Sequence, residues 1–351
     1  MTIQISPFLQ QLTRLCRERP RRLALPESDD VRVLRAAADL LEAKAAQSVW
    51  LFGAAPELLA KAEAVGINLH SHVESIRWVH PSDPVFRSAT RDHLAAFAGK
   101  RGKVLSAAVL DEASSSRLDQ AAYLLASEQV DAVIAGCVHT TAEVIRAALR
   151  GVGLAPGNRT ISSSFAMIRE GGSLPAHRYI YADCGVVIDP SPEQLVDIAA
   201  ASVATFSALF PDETPVLAFL SFSTRGSAQH PSVDKMQEAL RLFRERYPWI
   251  AADGEFQFDA AYDAAIGERK APGSQVPGRA NCFLFPDLNA GNIAYKISQR
   301  LGFFDAYGPI LQGTTRPYTD LSRGASARDI VASALIASLR ATDAELPKPK
   351  A

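Results

Sequence analysis

What this chain lacks narrows its role before any motif is read. Nowhere do about 18 apolar residues run together, so no membrane-spanning helix is expected. The four cysteines, Cys16, Cys137, Cys184 and Cys282, form no CxxC and stand in no zinc-like spacing with the seven histidines. A metal site is therefore not expected, and scattered thiols suit a reduced, cytoplasmic setting. Residues 1–22 hold no apolar run long enough for a signal peptide. Lys and Arg total 37 against 38 Asp and Glu, a net charge of −1, so no global basic field exists to hold nucleic acid or an anionic membrane. No GxGxxG follows a strand, because Gly151-Val152-Gly153 comes after a helix and lacks the third glycine spacing. GxxxxGK[ST], GxSxG and HExxH are absent too, which leaves NAD, ATP, nucleophile-elbow and zinc chemistry without support. There is no internal repeat and no low-complexity tract.

What is present is ample apolar sequence: 48% of 351 residues, enough for two domains. Short apolar runs predict strands at 22–25, 48–52, 132–135, 179–181, 216–222 and 282–285. Helical patterns occupy 31–45, 142–149, 192–208, 232–246, 293–301 and 329–340. This alternation predicts an α/β protein with mainly parallel sheets, since parallel strands need crossovers and these are usually helical. Ile293, Ile297 and Leu301 recur at helical spacing, as do Val331, Leu335 and Leu339, and both stripes are expected in the core. Gly and Pro in the loop 151–158 mark a domain junction, and 307–316 offers a second crossing. The expected division is 1–156 with 310–351, and an inserted domain 157–309. The polar tail 345–351 is expected to fray.

The most informative stretch is Asp320-Leu321-Ser322-Arg323-Gly324, where a hydroxyl, a guanidinium and a glycine precede a helix. Free backbone N–H groups and the positive end of a helix dipole suit an anion there. Asp329 follows, but Ser326 and Asp329 also match a capping box, and spacing alone favours capping over catalysis. The turn Gly136-Cys137-Val138-His139-Thr140-Thr141 leaves a strand and enters a helix. It reads either as an anion pocket at the carboxyl end of a parallel strand or as a capped helix with Thr140 and Glu143. Arg146 lies off the apolar face of that helix. Ser162-Ser163-Ser164 and Ser221-Phe222-Ser223-Thr224-Arg225-Gly226 are hydroxyl-rich segments that read as loops or as pocket walls. Lys270-Ala271-Pro272-Gly273-Ser274 is a turn, and 286–292 is rich in capping and turn residues.

These segments together resemble the phosphate acetyltransferases (phosphotransacetylases), within the phosphate acetyl/butyryltransferase family. The carrying residues are 23–28, 135–142, 181–186, 220–224, 253–260, 269–274, 285–293, 308–313 and 320–324, in family order over nearly the whole chain. The resemblance implies a two-domain, three-layer α/β/α fold like that of the isocitrate and isopropylmalate dehydrogenases, with a cleft between domains, usually as a homodimer of the short class. The implied reaction is acetyl-CoA + phosphate ⇌ acetyl phosphate + CoA, with coenzyme A as substrate and no permanent cofactor. Ser322 and Arg323 match the family's catalytic serine and arginine, Asp329 its proposed base, and Arg146 a substrate-binding arginine. Thr140, Thr141, Ser162, Ser163, Ser221 and Lys270 are further substrate-binding candidates.

In the implied mechanism Asp329 takes the thiol proton as general base. The thiolate attacks the acetyl carbonyl, and Ser322 and Arg323 meet the developing oxyanion. Arg323 and Arg146 suit the phosphate, since a guanidinium can hold two of its oxygens. A carboxylate with an ordinary pKa is a poor base for a thiol. Either burial raises that of Asp329, or the arginines lower that of the thiol. The family pattern is departed from at Ala325, where many relatives carry cysteine, and at 315–320, which reads Thr-Arg-Pro-Tyr-Thr-Asp. An expected arginine before Gly102 has no clear match; Lys100, Arg101 and Lys103 could supply charge for the CoA phosphates. The alternatives are a butyryl or longer-chain phosphate acyltransferase, a non-catalytic CoA-binding regulator, and a dehydrogenase on the related fold.

Overall fold

The computed structural model describes residues 6–341 apart from 172, 173 and 175, and also residue 346. The expected frayed tail lies outside the described residues but for that last one. Eleven strands are present among them: β1 (Arg21–Leu25), β2 (Ala46–Phe52), β3 (Ile76–Val79), β4 (Ala132–Ala135), β5 (Ser162–Arg169), β6 (His177–Ala182), β7 (Val216–Leu220), β8 (Ala251–Phe256), β9 (Cys282–Leu284), β10 (Asp305–Gln312) and β11 (Tyr318–Asp320). The chain forms two compact units, one built from the residues up to Pro156 and those from Thr314 to the last helix, the other from Gly157–Gly313.

In the first unit the sheet order is β11-β4-β1-β2-β3, and every pairing is parallel. β4 reads Ala-Val-Ile-Ala and is buried throughout, as a strand covered on both faces must be. Helices Pro7–Glu18, Val31–Glu42 and Ala327–Arg340 pack together as one layer. Pro84–Gly99, Ala107–Ser115, Arg117–Ala126 and Thr141–Gly151 form another. Their starts are set by side-chain caps: Asp30, Asp83, Ser106, Ser116, Thr140 and Ser326 each accept a backbone N–H of the first turn. In the second unit the order is β10-β5-β6-β9-β7-β8; β10 and β6 flank β5 antiparallel, and the remaining pairs are parallel. The sheets are thus mainly parallel, as the alternation predicts.

Two expectations need correcting. Ile293, Ile297 and Leu301 are not core: they are 56%, 52% and 74% exposed. The helix Leu288–Leu301 turns its small face inward instead. Ala290, Ala294 and Tyr295 pack on the aromatic cluster of Tyr181, Phe283 and Phe285. Gly291 lies so close to the Asp183 carbonyl that a Cβ there would fall 2.1 Å from it. Helical spacing identifies a stripe but not which stripe is covered, and here close backbone approach decided it. The second stripe behaves as expected at Leu335, which is 1% exposed.

The serine run is the other correction. Ser162, Ser163 and Ser164 are not loop but the start of β5, and all three are buried. Buried hydroxyls need partners. Ser163 Oγ donates to Asp183 at 2.6 Å, and Ser164 Oγ accepts from Gln312 Nε2 at 2.7 Å. Ser162 Oγ reaches Gln312 Oε1 at 3.5 Å. Residues 307–312, read as part of a crossing, belong to β10. No described helix is long and apolar enough to cross a membrane.

Candidate active site

β4 and β11 are adjacent and parallel, with Asp320 opposite Ala135. Their carboxyl ends therefore release two turns side by side, 136–140 and 321–326. These turns carry the residues singled out in the sequence. Leu321 N donates to the Ala135 carbonyl at 2.7 Å, which extends the pairing one residue further. Gly136, at φ +106°, sits where a Cβ would fall 2.4 Å from Leu321 N and 2.6 Å from Asp320 Oδ1. Only glycine permits so close an approach.

The second turn then comes to the surface. Ser322, Arg323 and Gly324 are exposed, Ala325 is buried, and Ser326 caps the helix Ala327–Arg340. Asp329 Oδ2 accepts from Ser326 N and Oγ, both at 2.8 Å, while Asp329 N donates to Ser326 Oγ at 3.2 Å. The capping box is real, and the Asp329 carboxyl is nonetheless exposed, so capping and access to a ligand coexist. Arg323 and Arg146 lend their guanidiniums to no other described residue.

Two ties fix the turns to each other. Thr141 Oγ1 donates to Asp320 Oδ2 at 2.7 Å. Arg32 Nη1 donates to the carbonyls of Arg323 at 2.9 Å and Ala325 at 2.7 Å, and its Nη2 to the Cys137 carbonyl at 2.9 Å. Asp30 holds Arg32 in place from below at 2.7 and 2.9 Å. A guanidinium is suited to this because its donors form a rigid fork.

The turn 136–140 does not offer its N–H groups to a ligand. Buried Glu27, just beyond β1, takes them. Oε2 accepts from Gly136 N and Cys137 N at 2.8 Å, and from Cys137 Sγ at 3.0 Å. Oε1 accepts from Val138 N at 3.0 Å, His139 N at 2.8 Å and His139 Nδ1 at 2.7 Å. Burial works against the charge, but these bonds from His139, Cys137 and the backbone outweigh it and hold the Glu27 carboxyl at about 2. The anion at the end of β4 is thus the protein's own. Burial and Glu27 together push the Cys137 thiol well above its ordinary range, so it is no nucleophile.

Asp320 has the opposite environment. It is 2% exposed, Oδ1 has no hydrogen-bond partner, and burial raises its pKa to about 6 against the pull of Thr141.

The other expected residues are placed as follows. Thr140 is engaged in a capping box with Glu143, whose Oε2 accepts from its N at 2.8 Å and its Oγ1 at 2.7 Å. In the second unit, Ser221 is half-buried and its Oγ accepts from Ser223 N at 3.2 Å. Lys270, at the end of the helix Ala264–Lys270, donates to Gln257 at 2.9 Å and Asp259 at 2.8 Å. Ser163 belongs to a cradle in which Asp183 also accepts from Gly185, Val186 and Val187 N. The hydroxyls of Ser162 and Ser163 are therefore engaged within the fold.

Glu27, Arg32, His139 and Asp320 also belong to the site; Asp320 and His139 lie in the two turns singled out in the sequence and Glu27 in the segment 23–28, but none of the four carried a role of its own there. The available signal was position: Glu27 and Asp320 both stand at the carboxyl ends of parallel strands, where α/β proteins place ligands.

The phosphate acetyl/butaryl transferase family model matches residues 7–338. The chain belongs to this family. It is 40% identical over 321 residues to a phosphate acetyltransferase of Paracoccus denitrificans, covering 91% of this chain and 95% of that protein. The Escherichia coli phosphate acetyltransferase is 39% identical over 93% of this chain, and there the chain spans 44% of the relative's length. Among solved structures, a phosphotransacetylase from Streptococcus pyogenes superposes with a TM-score of 0.86 at 36% identity, over 96% of this chain and 99% of that one. A 4-hydroxythreonine-4-phosphate dehydrogenase from Klebsiella pneumoniae shares the fold alone, at 12% identity, a TM-score of 0.51 and coverage of 93% and 99%. The family thus sits on a dehydrogenase-like scaffold, as the sequence resemblance implies. No cluster of His, Cys, Asp or Glu placed to hold a metal ion occurs among the described residues.

Proposed function

We propose that the chain transfers an acetyl group reversibly between coenzyme A and inorganic phosphate. The observation that carries this is the exposed Ser322-Arg323-Gly324 turn, fixed between two strand ends, with Asp329 in the first turn of the helix that follows. In the direction of acetyl-CoA formation, the CoA thiol gives its proton to Asp329. The sulfur attacks the acetyl carbon of acetyl phosphate, and charge moves onto the carbonyl oxygen. The Ser322 hydroxyl and the Arg323 guanidinium donate to that oxygen. As the intermediate collapses, the carbon–oxygen bond to phosphate breaks and phosphate leaves with the electron pair. Arg146 and Arg323 hold its oxygens. The proton on Asp329 passes to solvent or to the departing phosphate, so the carboxylate is restored. No acyl-enzyme is formed.

Asp329 is exposed, so of the two routes to a competent thiol and base, burial of Asp329 is not the one available in its unit. The reading rests on the guanidiniums, which favour the thiolate.

The exposed stripe Ile293, Ile297 and Leu301, with Phe303 at 75% exposure, supports a homodimer, the assembly that the sequence resemblance implies. Ile297→Asp should give a monomer by light scattering; an unchanged mass sets that face aside. Four free, buried cysteines support a cytoplasmic setting.

Thiol release measured with phosphate and a panel of acyl-CoAs tests the function. Acetyl-CoA is expected to be the best substrate. A clear preference for butyryl-CoA would replace the acetyl reading, and no release with any acyl-CoA would end it.

A further inference from the structure

One histidine beside the Arg146 helix has no part in the mechanism above. His139 stands between the end of β4 and that helix, with its side chain 34% exposed. Its Nδ1 is 2.7 Å from Glu27 Oε1, a carboxylate that stays ionised throughout the working pH range. Such a partner fixes the proton on Nδ1 and favours the imidazolium, while Nε2 makes no hydrogen bond to any described residue.

The ring borders an open groove of about 510 Å³ that Arg146 also lines. Most other charges around it are already paired. From the loop after β1, Asp29 pairs with Arg117 of the helix Arg117–Ala126. From that same helix, Asp119 takes Arg150 at 2.7 and 2.9 Å. Glu143 is bound to Thr140, and Glu112 comes from the helix Ala107–Ser115. Among the described residues lining the groove, the Arg146 guanidinium and the Nε2 of His139 make no hydrogen bond. The hydrogen bond that His139 donates to Glu27 raises its pKa, burial opposes this, the charges of Glu27 and Glu143 add to it, and Arg117 reduces it.

We propose that His139, oriented by Glu27, is a second contact for the phosphate group that Arg146 holds, its outward Nε2–H donating to a phosphate oxygen in the groove. The proposal rests on the transferase reading and names a binding residue for it. With Arg146 in its proposed role that group is the reacting phosphate; a phosphate of coenzyme A offers the same recognition chemistry, and the substrates compared below tell the two apart.

His139→Asn separates this role from a structural one. The asparagine amide can replace Nδ1–H toward Glu27 but offers no outward cation. For the native enzyme, KM for the phosphate-bearing substrate should rise with pH as the imidazolium is lost. His139→Asn should raise that KM about tenfold at neutral pH, change kcat less than about threefold, and flatten the pH dependence. A rise in KM for phosphate or acetyl phosphate assigns the reacting group. A rise confined to CoA and absent with dephospho-CoA assigns the CoA 3′-phosphate. KM values within twofold of native for every substrate, or a pH profile shared by native and variant, would overturn the proposal. A lowered melting temperature with unchanged KM would overturn it too. Should His139→Asn not fold, His139→Gln is read by the same measures. If native protein turns over no acyl-CoA, the transferase reading fails by itself; ³¹P titration of native and His139→Asn protein with inorganic phosphate still decides the histidine, and equal affinity counts against it.

Discussion

Replacing Glu27 with glutamine should unsettle the whole first unit. The side chain keeps its shape, but one oxygen becomes an NH2 group. Whichever oxygen that is, it faces three donors: Gly136 N, Cys137 N and Cys137 Sγ on one side, or Val138 N, His139 N and His139 Nδ1 on the other. Donors would then meet a donor in a site that excludes water, and each unpaired buried group costs about 1–3 kcal/mol. An independent route gives a similar size. A carboxyl brought from its ordinary 4.5 down to about 2 implies roughly 3 kcal/mol of preferential stabilisation in the folded state. For a unit of this size about 3 kcal/mol lowers the melting temperature by roughly 6–12 °C. The pH dependence has a definite sign. A depressed carboxyl contributes stability that is fully present above its unfolded value and lost as pH falls through the folded value. The gap between native protein and Glu27→Gln should therefore be constant at neutral pH and close as pH drops from 4.5 toward about 2. Thermal melts of both proteins at several pH values make the test. Equal melting temperatures at pH ~7, or a gap indifferent to acid, would refute the claim that this carboxylate organises the turn.

Three further outcomes are expected. Arg323→Ala should cost about 100-fold or more in kcat with little change in melting temperature, because the guanidinium is exposed and bonded to no other described residue; native turnover in the variant would remove Arg323 from the chemistry. Asp329→Asn should lose roughly 1 kcal/mol from the weakened cap and far more in kcat; if stability and rate fall in proportion, Asp329 is only a cap. Asp320 has a raised pKa, so its contribution favours the fold at low pH and is lost as pH rises from 3.8 through about 6; Asp320→Asn, which cannot ionise, should melt at temperatures that vary less across that window, and identical slopes for both proteins would contradict the raised value.

Local pattern carried the first unit well. β1, β2 and β4 were legible because each is an apolar run ending in a turn, and the capped helices at Thr140 and Ser326 announced themselves by three-residue spacing. The Ser322 turn was legible for the same reason, as a polar cluster at a helix entry. What escaped depended on distant residues. Ser162–Arg169 is a buried strand whose hydroxyls pair with Gln312 and Asp183, and nothing nearby in sequence says so. The Leu288–Leu301 stripe looked like core since spacing reveals a face and not its cover. Glu27 carried no role in the sequence, because the donors that surround it lie 109 to 112 residues away.

The Arg32 fork has an implication for how this protein can diversify. Its grip falls on the carbonyls of residues 323 and 325, and the Thr141 and Ala135 bonds fall on residues 320 and 321. All four anchors fall between residues 320 and 325, on the last residue of β11 and the turn that follows it. Within the turn itself these anchors grip main-chain atoms, so side chains at 322–325 can change without loosening the backbone that carries them.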